Sequence, residues 1–210
     1  MRNLNDCRLY GILDLNYIKP ADAERIVRAM IEGDVDLIQL RGKNHSIDKL
    51  IELATKLHEI TAASDVPLII NDYGEVAAKV AVEGIHVGQD DDSVAAAREK
   101  AGRAIVVGKS THSVEQAIAA QKEGADYLGF GPIFSTPTKP DYKPIGLIDI
   151  ATVHAAIKTP IFCIGGIKLH NLGQVLGAGA TRVAIVSGLL QATDISKYAR
   201  GCKNLLEPET

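Results

Sequence analysis

AIVVGKSTHSVEQAIAAQKEGADYLGFGPI, residues 104–133, decides the architecture of this chain. Residues 104–110 form a near-continuous apolar run, residues 114–124 carry apolar side chains at intervals of three and four, and residues 127–133 form a second apolar run. Short runs rich in Val, Ile and Leu read as strands, and the three-and-four period reads as an amphipathic helix. An apolar run without alternation is what a strand covered on both faces needs.

The same alternation extends in both directions from this unit. Further strands are expected at residues 9–13, 37–41, 67–72, 84–88, 160–166 and 182–188, and further helices at 21–32, 47–63 and 150–157. Asp22 or Ser46 could cap a helix N-terminus, while Gly33 and Gly124 stand where a left-handed stop residue would. Eight strand-helix units, with no linker, low-complexity tract or change of composition, close most simply into a single (β/α)8 TIM barrel spanning residues 1–210 as one domain. An open doubly wound sheet is the alternative.

Composition agrees with one globular core and excludes several functions. The 210 residues are 46% hydrophobic and 23% charged, which leaves no case for disorder. A net charge of −3, from 23 basic and 26 acidic residues, offers no basic excess for a nucleic-acid partner. An anionic ligand must therefore be held locally, by Lys, Arg and backbone N–H groups in a pocket. Cys7, Cys163 and Cys202 form an odd set without CxxC spacing, which favours a reducing, cytoplasmic setting. Cys163, inside an apolar run, reads as a small buried hydrophobe rather than a nucleophile. The opening MRNLNDCRLYGILDLN has its short apolar stretch interrupted by charge, so it is expected to be neither a signal peptide nor a membrane span.

Active sites of this barrel lie at the C-terminal ends of the strands. Those ends read QLRGK, IIND, HVGQDD, GKSTH, GFGPIFSTPTK, IGG and VSG, whereas the opposite ends show nothing similar. After strand six, Ser135, Thr136, Pro137, Thr138 and Lys139 gather hydroxyls and an ammonium suited to phosphate. Gly165-Gly166 and Val186-Ser187-Gly188 allow the backbone to approach a ligand in the loops that usually bind phosphate. Asp72 and Asp91, with Asn71 and Gln89 beside them, bring two carboxylates to one mouth, a donor set that suits Mg²⁺ completed by water and phosphate oxygens. Alternatively, Asp91 caps the helix that follows. Gln39, Arg41 and Lys43 alternate along an extended chain and face one way, so two cations could meet one diphosphate; the alternative is surface salt-bridging. His86 and His112 could transfer protons, although a hydrogen-bonded structural role is commoner for a barrel histidine. His45, His58, His154 and His170 read as surface positions.

Taken in order, QLRGK, IINDYGEVA, GIHVGQDD, GKSTHS, GADYLGFGPIFSTPTK, IGGI and VAIVSG closely resemble the thiamine-phosphate synthase family over almost the whole chain. The TPTK loop is the most specific part. The resemblance implies that a hydroxymethylpyrimidine diphosphate and a thiazole phosphate join to give thiamine phosphate, with Mg²⁺ helping diphosphate to leave. By this similarity Gln39, Arg41, Lys43, Asn71, Ser110 and Lys139 would bind the pyrimidine diphosphate, and Arg41, Lys43, Ser110 and Lys139 would act in catalysis. Asp72 and Asp91 would hold Mg²⁺, and Thr136, Pro137, Thr138, Gly166, Val186 and Ser187 would bind the thiazole phosphate. The partners implied are these small molecules, with neither nucleic acid nor membrane and with a homo-oligomer left open. Three features depart from the family's pattern: Gly42 where Glu is common, Lys109 before Ser110 where a small apolar residue is common, and a slightly short loop at residues 140–145. The rival readings are a metal-free thiazole tautomerase of the same fold, with His112 in proton transfer, and a non-catalytic barrel that senses thiazole or thiamine phosphate. The paired acids argue against both.

Overall fold

Backbone N–H and C=O groups in buried apolar runs must find partners, and here each run finds them in its sequence neighbours on both sides. The computed structural model describes residues 3–137 and 142–207. Its strands are β1 (Leu9–Asp14), β2 (Leu37–Arg41), β3 (Leu68–Asn71), β4 (Gly84–Val87), β5 (Val106–Thr111), β6 (Tyr127–Phe130), β7 (Ile161–Ile164) and β8 (Val183–Ile185). They pair in that order, and β8 returns to β1 through Leu9↔Val183, Tyr10↔Ala184 and Gly11↔Ile185, all in parallel, so the sheet is a closed barrel. The doubly wound alternative is thereby excluded.

Helices follow the strands and cover the barrel: α1 (Ala23–Glu32), α2 (Ile47–Ala63), α3 (Gly74–Lys79), α4 (Val94–Ala101), α5 (Val114–Lys122), α6 (Ile150–Ala156), α7 (Leu172–Gly177), α8 (Ser187–Leu190) and α9 (Ile195–Leu206). Among the described residues no helix is long and apolar enough to cross a membrane. Several strands end earlier than expected, because the chain leaves the ladder to build the mouth. Strand β3 stops at Asn71, where Asp72 takes a φ of 66°.

The helix ends differ in part from expectation. Asp22 and Ser46 occupy N-cap positions without a side-chain bond, whereas Ser93, Ser113 and Asp194 accept from Ala96, Gln116 and Lys197. Gly124 has the expected left-handed conformation, at φ 84°, but Gly33 does not, at φ −85°. A Cβ at Gly33 would lie 2.5 Å from Ala199 Cβ and 2.6 Å from the Ser196 carbonyl, so glycine there lets α1 and α9 touch. The turn itself is made by Asp34, at φ 64°.

Burial divides into two cores. The larger lies between strands and helices; the smaller fills the barrel with Tyr10, Ile12, Leu37, Ile69, Tyr127, Phe162 and Ala184, closed below by Cys7. Tyr10, Tyr127 and Phe162 meet edge to face, with centroids 5.3 to 5.8 Å apart. Gly108 makes the room, since a Cβ there would run into the Tyr127 ring. Cys7, Cys163 and Cys202 are buried and form no disulfide among the described residues, and burial pushes the Cys163 thiol up to about 12, as its reading as a hydrophobe requires.

The N-terminal ends of the strands are not featureless. Asp36, Glu83 and Asp126 each precede an even strand, and each donates its backbone N–H to Leu9, Leu68 or Val107 on the odd strand before it. The side chain of each acid then accepts the N–H of that same residue, at 2.9, 2.8 and 2.8 Å. A basic side chain meets each acid in turn: Lys203 for Asp36, His58 for Glu83 and Arg98 for Asp126. His58 is therefore not a surface position. Neither is half-buried His154, whose pKa is lowered by burial and then by the Arg182 charge.

Asp36 is the most buried of the three acids and also accepts from the Arg8 N–H. Replacing it leaves two N–H groups and an ammonium unpartnered, which costs about 3 kcal/mol or more. Urea unfolding of Asp36→Ala should show that loss, while Asp126→Ala, at a more exposed clamp, should lose less.

Candidate active site

Period-two alternation along β2 turns Gln39 and Arg41 into the barrel mouth, and Gly42 then releases the chain so that Lys43 reaches across toward β3 and β4. Arg41 is buried, with Nε 3.5 Å from Asp14 Oδ2; Asp14 is wholly buried and accepts from the Asn16 N–H at 2.9 Å. Sequence reading missed Asp14. Its signal was an acid closing the apolar run LYGILD at a strand's C-terminal end, the same pattern that picked out Asp72. Arg41 Nη1 and Asn71 Nδ2 are buried with no acceptor among the described residues, and both residues line the mouth. Such donors fit an anionic ligand, because leaving a charged or amide N–H unpaired in a dry site is costly.

Asp72 and Asp91 are brought together as expected. Lys43 Nζ stands 3.1 Å from Asp72 Oδ2 and 3.9 Å from Asp91 Oδ1, an ammonium between two carboxylates. Asp91 does not cap α4, a task that falls to Ser93; its Oδ2 accepts from the Gly88 N–H at 2.9 Å and so fixes its own loop. The left-handed backbone at Asp72 costs an L-residue about 1 kcal/mol, and it is held by a bond from the Asp72 N–H to the His86 carbonyl. Burial, then the charge of Asp91, push the Asp72 carboxyl above its ordinary range despite Lys43. Among the described residues no three His, Cys, Asp or Glu side chains gather into a metal cage. Two carboxylates alone fit Mg²⁺, which binds through one or two of them and completes its shell with water and phosphate oxygens.

At the floor of the mouth a chain of hydrogen bonds crosses the barrel. Gln39 Nε2 donates to Tyr10 at 2.6 Å, the Tyr10 and Tyr127 hydroxyls are 2.9 Å apart, and Tyr127 lies 3.1 Å from His86 Nδ1. His86 Nε2 is 2.9 Å from Ser110 Oγ, and Gln89 Nε2 donates to the Ser110 carbonyl at 2.5 Å. The tyrosines had no part in the sequence reading, since both sit inside apolar runs and look like core. His112 bonds through Nδ1 to the Gly131 carbonyl, leaves Nε2 buried without a partner, and stacks on Tyr142 at 4.7 Å. Tyr142 also donates to Asp90 at 3.4 Å, which ties the described end of the 140–145 loop across the mouth.

On the opposite side, Thr136, Gly166, Val186 and Ser187 line the same pocket, and Pro137 is exposed beside them. Gly165 and Gly166 have φ of 99° and 65°, and Asn171 Nδ2 donates to the Gly166 carbonyl at 3.0 Å. Thr138 and Lys139 lie outside the described residues. Lys109 points away from the mouth to pair with Glu123 at 2.6 Å, as strand alternation dictates. Gly42 is walled in, since a Cβ there would lie 2.8 Å from Leu50 and 2.9 Å from Leu15.

Unpaired donors around two crowded carboxylates, at the C-terminal face of a (β/α)8 barrel, are what an enzyme of phosphorylated small molecules presents. The comparisons sharpen this class. Residues 9–189 match the family model described as thiamine monophosphate synthase. A thiamine-phosphate synthase from Halalkalibacterium halodurans is 41% identical over 205 residues, covering 97% of each chain. One from Chloroflexus aurantiacus is 40% identical, covering 96% of this chain and 93% of its own. Among solved structures, thiamine phosphate pyrophosphorylase from Pyrococcus furiosus superposes with a TM-score of 0.88 at 32% identity, covering 97% of this chain and 98% of that one. The chain belongs to the thiamine-phosphate synthase family and is an enzyme of that kind.

Because the fold holds the Asp72 proton more tightly than the unfolded chain does, this carboxyl favours folding below its ordinary range and costs stability once pH rises through the raised value. In metal-free protein at neutral pH, Asp72→Asn should therefore raise the melting temperature. The gain should disappear below the ordinary carboxylate range, where the parent Asp72 is already protonated in both states.

Proposed function

We propose that this single-domain, cytoplasmic enzyme condenses 4-amino-2-methyl-5-(diphosphooxymethyl)pyrimidine with a thiazole phosphate, giving thiamine phosphate and diphosphate. The observation that carries the reading is the Asp72–Lys43–Asp91 cluster beside the unpaired donors of Arg41 and Asn71. Two neighbouring acids, with the charge of Asp72 disfavoured by burial and by Asp91, suit a divalent cation, and the two buried donors suit an anion. A diphosphate bound with Mg²⁺ satisfies all four groups at once.

In this reading Gln39, Arg41, Lys43, Asn71, Ser110 and Lys139 bind the pyrimidine diphosphate, and Asp72 and Asp91 supply the protein ligands of Mg²⁺. When bound, the metal supplies charge neutralisation at the diphosphate oxygens. Arg41, Lys43 and Lys139 do the same from the protein side, and Asp14 keeps Arg41 in place by pairing with its Nε. The bond from the pyrimidine's methylene carbon to the diphosphate oxygen breaks with its electron pair going to diphosphate. A lone pair of the thiazole nitrogen then forms the new C–N bond, so no side chain has to remove a proton or attack as a nucleophile. Thr136, Pro137, Thr138, Gly166, Val186 and Ser187 bind the thiazole phosphate, which would bring the nitrogen to the carbon in reacting geometry.

Mixing the two substrates with and without Mg²⁺, and measuring thiamine phosphate and diphosphate, tests the reading directly. Product is expected only with a divalent cation, and no product under any metal condition overturns it. Asp91→Ala should lower turnover by about a hundredfold or more. Mg²⁺ with diphosphate should raise the melting temperature of the parent and leave that of Asp91→Ala unmoved.

A further inference from the structure

The hydrogen-bonded chain across the barrel floor has a direction. An amide nitrogen can only donate, so the Tyr10 oxygen accepts from Gln39 Nε2, at 2.6 Å, and its own proton must go elsewhere. The hydroxyl 2.9 Å away is Tyr127, which then has its proton left for His86 Nδ1 at 3.1 Å. A nitrogen that accepts carries no proton, so neutral His86 is protonated on Nε2 and donates to Ser110 Oγ at 2.9 Å. The serine proton is then the one that faces the ligand. Run the other way, the chain would aim the Tyr10 proton at an NH₂ group.

We propose that Tyr10 and Tyr127 are positioning residues which, with Gln39, order the protons of this chain so that Ser110 presents its hydroxyl as a donor to the substrate. That Ser110 meets the pyrimidine diphosphate rests on the proposed function; the proton order in the ligand-free protein does not.

Three features keep the order in place. Gln39, Tyr10 and Tyr127 are buried, so no bulk water competes for these bonds. Burial also raises both phenols well above their ordinary pKa, so they stay neutral and each keeps one proton to give. The rings have little room to turn: Tyr127 packs where Gly108 has no side chain, and His86 Cε1 lies within 3.5 Å of the Cβ that Gly129 lacks. The substrate pocket is therefore polarised before anything binds, which spares the site a reorganisation when diphosphate leaves.

Nitrogen-15 NMR of ring-labelled histidine, with the His86 signals assigned by their loss in His86→Gln, reads the order in ligand-free protein. Nε2 should carry the proton and Nδ1 should be an unprotonated acceptor. Tyr127→Phe should move the Nδ1 resonance and lower kcat about tenfold, the loss of one oriented bond, with little change in KM for the thiazole phosphate. Tyr10→Phe, one link further away, should move the same resonance by less. A proton on Nδ1 in the parent, or a Nδ1 resonance unmoved by Tyr127→Phe, overturns the proposal. If Tyr127→Phe fails to fold, the parent spectrum and Tyr10→Phe still decide it. The expected spectra in a protein that makes no thiamine phosphate would sink the proposed function and leave the proton order standing.

Discussion

Eight parallel strands joined edge to edge enclose a space that water cannot fill without leaving backbone and side chains poorly packed, and in this protein three aromatic rings fill it. Tyr10, Tyr127 and Phe162 pack edge to face, and Gly108 gives up its own side chain to admit one of them. The plug sets the depth of the mouth. Because two of its rings are phenols, the floor must also satisfy two buried hydroxyls, and Gln39 and His86 do so. Packing and polarity are solved by the same residues, which is why a substrate pocket can rest directly on a hydrophobic core.

The two ends of the barrel use acids in opposite ways. At the N-terminal end Asp36, Glu83 and Asp126 are each matched by a strand N–H and a basic side chain, so they hold neighbouring strands in register. At the C-terminal end Asp72 and Asp91 both lie beside Lys43, and Asp72 is held above its ordinary pKa. A buried carboxyl whose charge is disfavoured beside a second acid marks a place where a ligand can bind. The same logic covers Arg41 and Asn71, whose buried donors have no acceptor among the described residues. The N-terminal end of the barrel therefore serves its stability, and the C-terminal mouth is where its proposed chemistry falls.

Two residues show how a single side chain can connect these needs. Asp14 closes β1 wholly buried and pairs with Arg41, so the first strand of the barrel orients the cation delivered by the second. Tyr142 lies over His112 and reaches Asp90, linking the loop after β6 to the loop after β4. Each joins parts of the chain far apart in sequence, and neither belongs to a motif.

Periodicity alone determined the repeat of strand and helix, because the side-chain period follows from backbone geometry and can be read locally at any point of the chain. The same reading located the candidate mouth at the strand ends, since polar residues closing apolar runs stand out without any knowledge of contacts. What it could not supply was partnership. Gly33 looks like a helix stop and is instead a gap for α9; the polar residues before the even strands look unremarkable and are clamps; Asp91 could have been a helix cap and is not. Tyr10 and Tyr127 read as core, which they are, yet their hydroxyls meet only because the barrel closes and brings β1 and β6 face to face. Whether a polar group is satisfied depends on atoms distant along the chain, 29 residues for Gln39 and Tyr10 and 117 for Tyr10 and Tyr127, and only closure of the sheet brings those atoms within about 3 Å of one another.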